Sequence, residues 1–356
     1  MKTPRLFFGR LVALYCLLMA PVAQAQLEWR ISIKVFTDPN GALPPIPGWG
    51  SGPLYRDFSN AVTAANQILD ATGRGYRWRL TEITNLAFNT SPIPSSTNSW
   101  YNLAVSAATQ DDLDTKAKAN SANFRYRADA INFYYVASCA GPNGGYCAFP
   151  SESQHVIPIA PCSASDVFIH EAGHFFGLSH TFDTEAYQNS DGTACTNGCA
   201  CARLIGGDDG GITDTPLDHT CWNQDRIATN QYGRVYTNLN AAEQYFVDNT
   251  WLNVMSYHNP PSTRFTPDQM DLVTDNSNGA RLSVASGRTW FVSTDGNDGN
   301  SGNNSTSRFR TLNKGLMTAN TGEIVLLRGG NYNERPFINQ SVTLRATRGA
   351  VTIGTP

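Results

Sequence analysis

His170-Glu171-Ala172-Gly173-His174-Phe175-Phe176-Gly177-Leu178-Ser179-His180 is the stretch on which the reading of this chain turns. On a helix, His170 and His174 stand one turn apart on the same face, within reach of one ion. Glu171 projects beside them, placed to take a proton from an attacking water. Gly177 marks where the helix must stop, because a glycine can adopt the backbone angles of a sharp turn. That turn would bring His180 up as a third ligand. Three neutral imidazoles leave one position of a tetrahedral zinc open, as in catalytic sites. A helix with two internally satisfied histidines is the plainer reading, and it leaves Gly177 and His180 unexplained.

Upstream, Trp29–Phe36 alternates apolar and polar residues as a strand does. Phe58, Ala61, Val62, Ala65, Ile68 and Leu69 recur at helical spacing, with Gly73 or Gly75 as the stop. Tyr76, Trp78 and Leu80 alternate with Arg77, Arg79 and Thr81, predicting a strand with one wet face. Residues 98–118 read as a helix, Ala128–Val136 as a strand, and Tyr146–Ile159 as one or two more strands. This order predicts an α+β fold with an α/β-type upper half: a mixed twisted sheet over an active-site helix. Ser163-x-x-Asp166 reads as a capping box opening that helix, and Thr266-Pro267-Asp268-Gln269 opens another. The stretch from His180 to Asn249 is rich in loop signals.

The chain has 356 residues, 41% of them hydrophobic, which suffices for a core and suggests two domains. A formal net charge of -3 without a basic run argues against nucleic acid as a partner. Residues 1–25 read as a secretory signal peptide: Lys2, Arg5 and Arg10, then apolar Leu11–Ala20, then Ala23-Gln24-Ala25. The apolar run is too short for a stable membrane anchor. The expected location is therefore extracellular or periplasmic. Cys139, Cys147, Cys162, Cys195, Cys199, Cys201 and Cys221 remain after the leader, an odd set that reads as disulfides with one cysteine left over. A small metal cluster at Cys195-x3-Cys199-x-Cys201 is the alternative, although its spacing fits no common zinc pattern.

Asn253-Val254-Met255-Ser256-Tyr257 adds a second signal. With the extended histidine motif, this methionine turn resembles the metzincin metalloproteases. His180-Thr181-Phe182, Asp214-Thr215-Pro216 and Arg264-Phe265-Thr266-Pro267-Asp268-Gln269 narrow the resemblance to the pappalysin family, over about residues 27–275. The resemblance implies a zinc endopeptidase acting on proteins or peptides. His170, His174 and His180 would be ligands, Glu171 the general base, Met255 an apolar floor, and Tyr257 a group that approaches the metal or the oxyanion. It also implies that Gly145, Tyr146, Cys147, Ala148 and Phe149 form an edge strand to which substrate adds. Some relatives bind calcium, for which Asp191, Asp208, Asp209, Asp214 and Asp218 could supply oxygens. Relatives often carry a zinc-blocking segment before the first strand. Here that strand starts almost at the expected cleavage site.

The domain reading is signal peptide 1–25, protease domain 26–276, linker 277–288 and a β-rich domain 289–356. The last resembles the opening of pectate-lyase-like right-handed parallel β-helices, through Trp290–Gly302, Phe309–Leu312 and Gly329–Glu334. A plainer reading is an irregular β appendage. Polysaccharide contact through this segment would make the chain an adhesion or carbohydrate-binding protein. The intact Glu171 favours hydrolysis instead.

Overall fold

The computed structural model describes residues 27–354, apart from 45–53, 141–143, 153, 162–165, 183–185, 189–202, 206–210 and 259–261. The expected signal peptide lies outside the described residues.

The first unit is built on strand β1, Leu27–Phe36. Helix α1, Leu54–Ala71, crosses over to β2, Tyr76–Leu86, which pairs parallel to β1. Gly73 and Gly75 both take positive φ in the turn between them. Helices α2, Ala107–Ala119, and α3, Ser121–Phe124, lead to β3, Ile131–Tyr135, and then β4, Val156–Ile159. The strand order is β2-β1-β3-β4. All three pairings are parallel, where a mixed sheet was expected. The antiparallel element at the β4 edge is a single bridge, Gly145 to Ile159.

A parallel sheet needs cover on both faces. Here the strands' period of two divides the apolar residues between two cores. Ile31, Ile33, Phe133, Tyr135 and Ile157 face α1 and the histidine-bearing helix α4, Val167–Phe175. Phe36, Tyr134, Val136 and Val156 face α2 on the other side. The helix expected over 98–118 starts only at Ala107, capped by Ser106. Trp100, Leu103 and Val105 are wholly buried in the second core before it. Their apolar spacing comes from a packed loop, not a helix face. The expected capping box of α4 also differs. Asp166 is its N-cap but makes no side-chain cap bond, and Ser163 lies outside the described residues.

Beyond α4, β5, Ala186–Gln188, and β6, Arg203–Ile205, pair antiparallel. Helices α5, Gln224–Tyr232, and α6, Ala241–Trp251, pack together around Ile227 and Val247. Helix α7, Pro267–Asn278, has the expected capping box of Thr266 and Gln269 with Pro267 in its first turn.

The last unit holds β7, Thr289–Val292, α8, Leu312–Thr318, β8, Ile324–Tyr332, and β9, Thr343–Ile353. Its strands form a parallel three-stranded sheet, β7-β8-β9. Strand β9 pairs with β8 along its length with one irregularity in register. There Arg348 takes φ 55°, held by Asp268 at 2.5 Å and Asp271 at 2.6 Å from α7.

Residues 277–288, expected as a linker, are packed. Phe291, Ile324 and Leu326 share one core with Trp29 and Tyr76 of the first unit. Asn278 clamps both the N–H and the carbonyl of Thr289, at 2.9 and 2.6 Å. Arg281 is 1% exposed. Its guanidinium donates to the carbonyls of Phe175, Gln154, Ala148 and Phe149, at 3.0–3.3 Å, and stacks on the Phe175 ring. This one side chain ties the end of α4 to the segment that leads into β4.

A buried guanidinium cannot be removed without stranding its acceptors. Arg281→Met should lower the unfolding free energy by roughly 3 kcal/mol. Urea unfolding followed by tryptophan fluorescence measures it, and a variant as stable as the parent would refute the tie.

Candidate metal centre

The last turn of α4 closes with a glycine in the left-handed region. Gly177 has φ 96°. Its N–H bonds the His174 carbonyl at 2.8 Å, and the Leu178 N–H bonds the Gly173 carbonyl at 2.9 Å. This is the paired closure of a helix by a left-handed residue. The Asn276 amide of α7 donates to the Phe176 carbonyl at 2.8 Å and would crowd a β-carbon at Gly177. The expected sharp stop is therefore present, and His180 returns to the helix face.

His170, His174 and His180 are the one group of three or more possible metal-ligating side chains among the described residues. Their ligand atoms lie within 4.8 Å of one another. His170 Nδ1 lies 2.7 Å from the Val254 carbonyl, and His174 Nδ1 lies 2.6 Å from the Leu178 carbonyl. A carbonyl accepts only, so each ring carries its proton on Nδ1 and presents an Nε2 lone pair. The Nε2 atoms of His174 and His180 approach to 3.1 Å. With no ion between them, a neutral His180 can donate its Nε2 proton to His174 across that gap; the three ring nitrogens converging there are a donor set that fits a zinc ion.

The methionine turn passes directly beneath. Met255 is fully buried, and a β-carbon at Gly173 would collide with its sulfur. Gly173 was not singled out in the sequence. Its signal was a residue without a side chain on the turn between His170 and His174. The amides of Asn253 and Gln269 bond each other twice, at 2.9 and 3.0 Å, and Asn253 Oδ1 also accepts from Met255 N at 2.8 Å. The first turn of α7 thus holds the methionine turn in place. Asn249 and Thr250 of α6 bond the carbonyls of Asp214 and Pro216, attaching the Asp214-Thr215-Pro216 segment to the same turn.

Tyr257 is 58% exposed, with its ring 4.8 Å from His180 and 5.6 Å from His170. Glu171 is buried, and its Oε2 has no hydrogen-bond partner among the described residues. Gly145 lies against it, so close that a β-carbon there would stand 2.6 Å from the Glu171 side chain. Phe149 reaches His174, at 5.6 Å between rings. The segment 145–149 therefore runs from Glu171 to His174. It is extended but bridged to β4 only at Gly145. Gly144 O and Tyr146 N face β4, bonding Ala160 and Pro158. In an antiparallel ladder the alternate residues face outward, so Gly145 and Cys147 offer their backbone groups to a further strand. Ala148 and Phe149 have their carbonyls on Arg281, which shortens the expected docking edge.

Of the acidic residues offered for calcium, Asp214 and Asp218 belong to no group of possible metal ligands among the described residues. Asp214 Oδ2 accepts from Asp268 N at 2.9 Å, and Asp218 is bonded by Thr181, His258 and His219. Asp191, Asp208 and Asp209 lie outside the described residues.

Burial pushes the Glu171 carboxyl up from 4.5 to about 8. The metal-free fold therefore holds a proton that the unfolded chain has released between those values. Its stability falls as pH rises through that window. A bound dication opposes the shift by favouring the carboxylate. Chelator-treated protein should lose on the order of 3 kcal/mol between about pH 5 and 8, and Glu171→Gln should flatten that slope. Thermal unfolding across this range tests it: parallel profiles for the two proteins would contradict the burial effect.

Residues 55–181 match the M12B reprolysin-like metallopeptidase family. Residues 122–277 match the family of pregnancy-associated plasma protein-A, M43 metallopeptidases. The two matches overlap where the histidines lie. A solved structure of a chaperone–substrate complex is similar over 46% of this chain and 26% of that one, at 13% identity and a TM-score of 0.32. No curated protein matches the chain. The two family matches and the three-histidine cluster together support a metzincin-like, zinc-dependent peptidase.

Proposed function

We propose that the chain is an exported zinc endopeptidase of the pappalysin type, with Glu171 as general base. The observation that carries this reading is the pairing of two features. Three imidazoles converge, those of His170 and His174 with their outer nitrogens locked on carbonyls, and the buried Glu171 carboxyl group, with one oxygen unbonded among the described residues, stands beside them.

Zinc held by His170, His174 and His180 would supply Lewis acidity toward the scissile carbonyl and the attacking water. Glu171 takes the water's proton and passes it to the leaving amine. Its burial keeps competing solvent away. Tyr257, exposed at the mouth, donates its hydroxyl to the developing oxyanion. A substrate strand pairs with the outward groups of Gly145 and Cys147, giving main-chain affinity without a fixed side-chain requirement.

Export is supported by the leader composition and by Cys221, which is disulfide-bonded. No helix among the described residues is long and apolar enough to cross a membrane. The adhesion reading has less support. The last unit's contacts with α7 and the shared core fit a structural part of the protease, and its likeness to a β-helix rests on sequence and three parallel strands.

Glu171→Ala should keep its zinc and lose about 10²–10⁴ in the rate of peptide hydrolysis. Tyr257→Phe should lose about 10² in kcat with KM little changed. A chelator should abolish the parent's activity and added zinc should restore it. If the zinc-loaded parent cleaves neither casein nor a peptide library, and Glu171→Ala behaves identically, the proposal fails.

A further inference from the structure

Thr181 and His258 directly follow His180 and Tyr257 in the chain. Both are held by one carboxylate. Thr181 Oγ1 donates to Asp218 Oδ2 at 3.0 Å, and His258 Nε2 donates to Asp218 Oδ1 at 2.8 Å. The His219 N–H also donates to Oδ1, at 2.7 Å. Asp218 and Thr181 are fully buried, and the His258 side chain is 2% exposed. The His258 ring packs on Trp251 at 4.6 Å. A carboxylate withdrawn from water keeps its donors firmly, since losing one leaves part of a desolvated charge unmet. Asp218 thus fixes two segments that enter the site separately: the chain leaving α4 and the chain leaving the methionine turn. The Thr181 N–H, 3.3 Å from the Met255 carbonyl, closes the same seam.

We infer that Asp218 is a positioning residue with two arms, setting His180 through Thr181 and Tyr257 through His258. The first arm requires only that the histidines bind zinc. The second rests on the peptidase reading above. Outer partners of this kind govern metal affinity and ligand aim without touching the ion.

The arms separate by mutation of the full chain. Zinc affinity is read by competition with a chromophoric chelator, kcat and KM on a peptide substrate, and folding by thermal unfolding. Thr181→Val should weaken zinc binding about 10-fold or more, with a smaller fall in the kcat of the zinc-saturated enzyme than His258→Phe causes. His258→Phe should leave zinc affinity unchanged and lower kcat about 10-fold at constant KM. Asp218→Ala should show both losses. Asp218→Asn, which keeps an acceptor and the shape, should recover most of each. If Asp218→Ala does not fold, the two single-arm variants decide. Should both lower the melting temperature while zinc affinity and kcat stay at parental values, Asp218 is structural only and the inference is overturned. If the parent cleaves no peptide, the peptidase reading falls, and Thr181→Val alone still decides the zinc arm.

Discussion

An imidazole gives a metal one lone pair, and only when its other nitrogen holds the proton. Three such lone pairs must meet at one point, which is a demand on the backbone as much as on the histidines. Here the carbonyls of Val254 and Leu178 hold the outer nitrogens of His170 and His174. One carbonyl lies on the methionine turn and the other just past Gly177. The turn, the helix end and the ligands therefore cannot be placed independently. Gly173 lets the methionine sulfur in, Asn253 and Gln269 hold the turn, and Asn276 braces the helix end.

Burial gives the same site its electrostatic character. Glu171 sits where water is largely excluded, which raises the cost of its charge and favours a proton. A cation nearby reverses that preference. The carboxyl is thus poised between two states by what occupies the histidines. Asp218 is the contrasting case: buried as deeply, it is surrounded by donors from three segments and serves as an anchor.

The ligand set, the helix stop and the methionine turn were legible because each depends on residues close in sequence. His170, His174, Gly177 and His180 encode their geometry through helical spacing and one special φ. The strands of the first unit were legible through their period of two, although their parallel pairing depends on crossovers that a local pattern does not contain. Trp100, Leu103 and Val105 misled because a buried loop can mimic a helix face. Arg281 was invisible for the opposite reason. Its four acceptors are backbone carbonyls more than a hundred residues away, and a carbonyl leaves no trace in the identity of its residue. Asp218 and His258 were equally hidden, since their pairing spans forty positions and Asp218 was offered only as a calcium oxygen donor.

The joint between the two units has a consequence for the enzyme's own survival. Under the proposed strand addition of substrate, any exposed extended segment of the chain itself is a potential substrate. Residues 277–288 do not present such a segment. Helix, a buried guanidinium and an asparagine clamp occupy the passage from α7 to β7. Self-cleavage there would first require local unfolding of a core that both units share. The packing that joins the units thus also shields the joint from the enzyme itself.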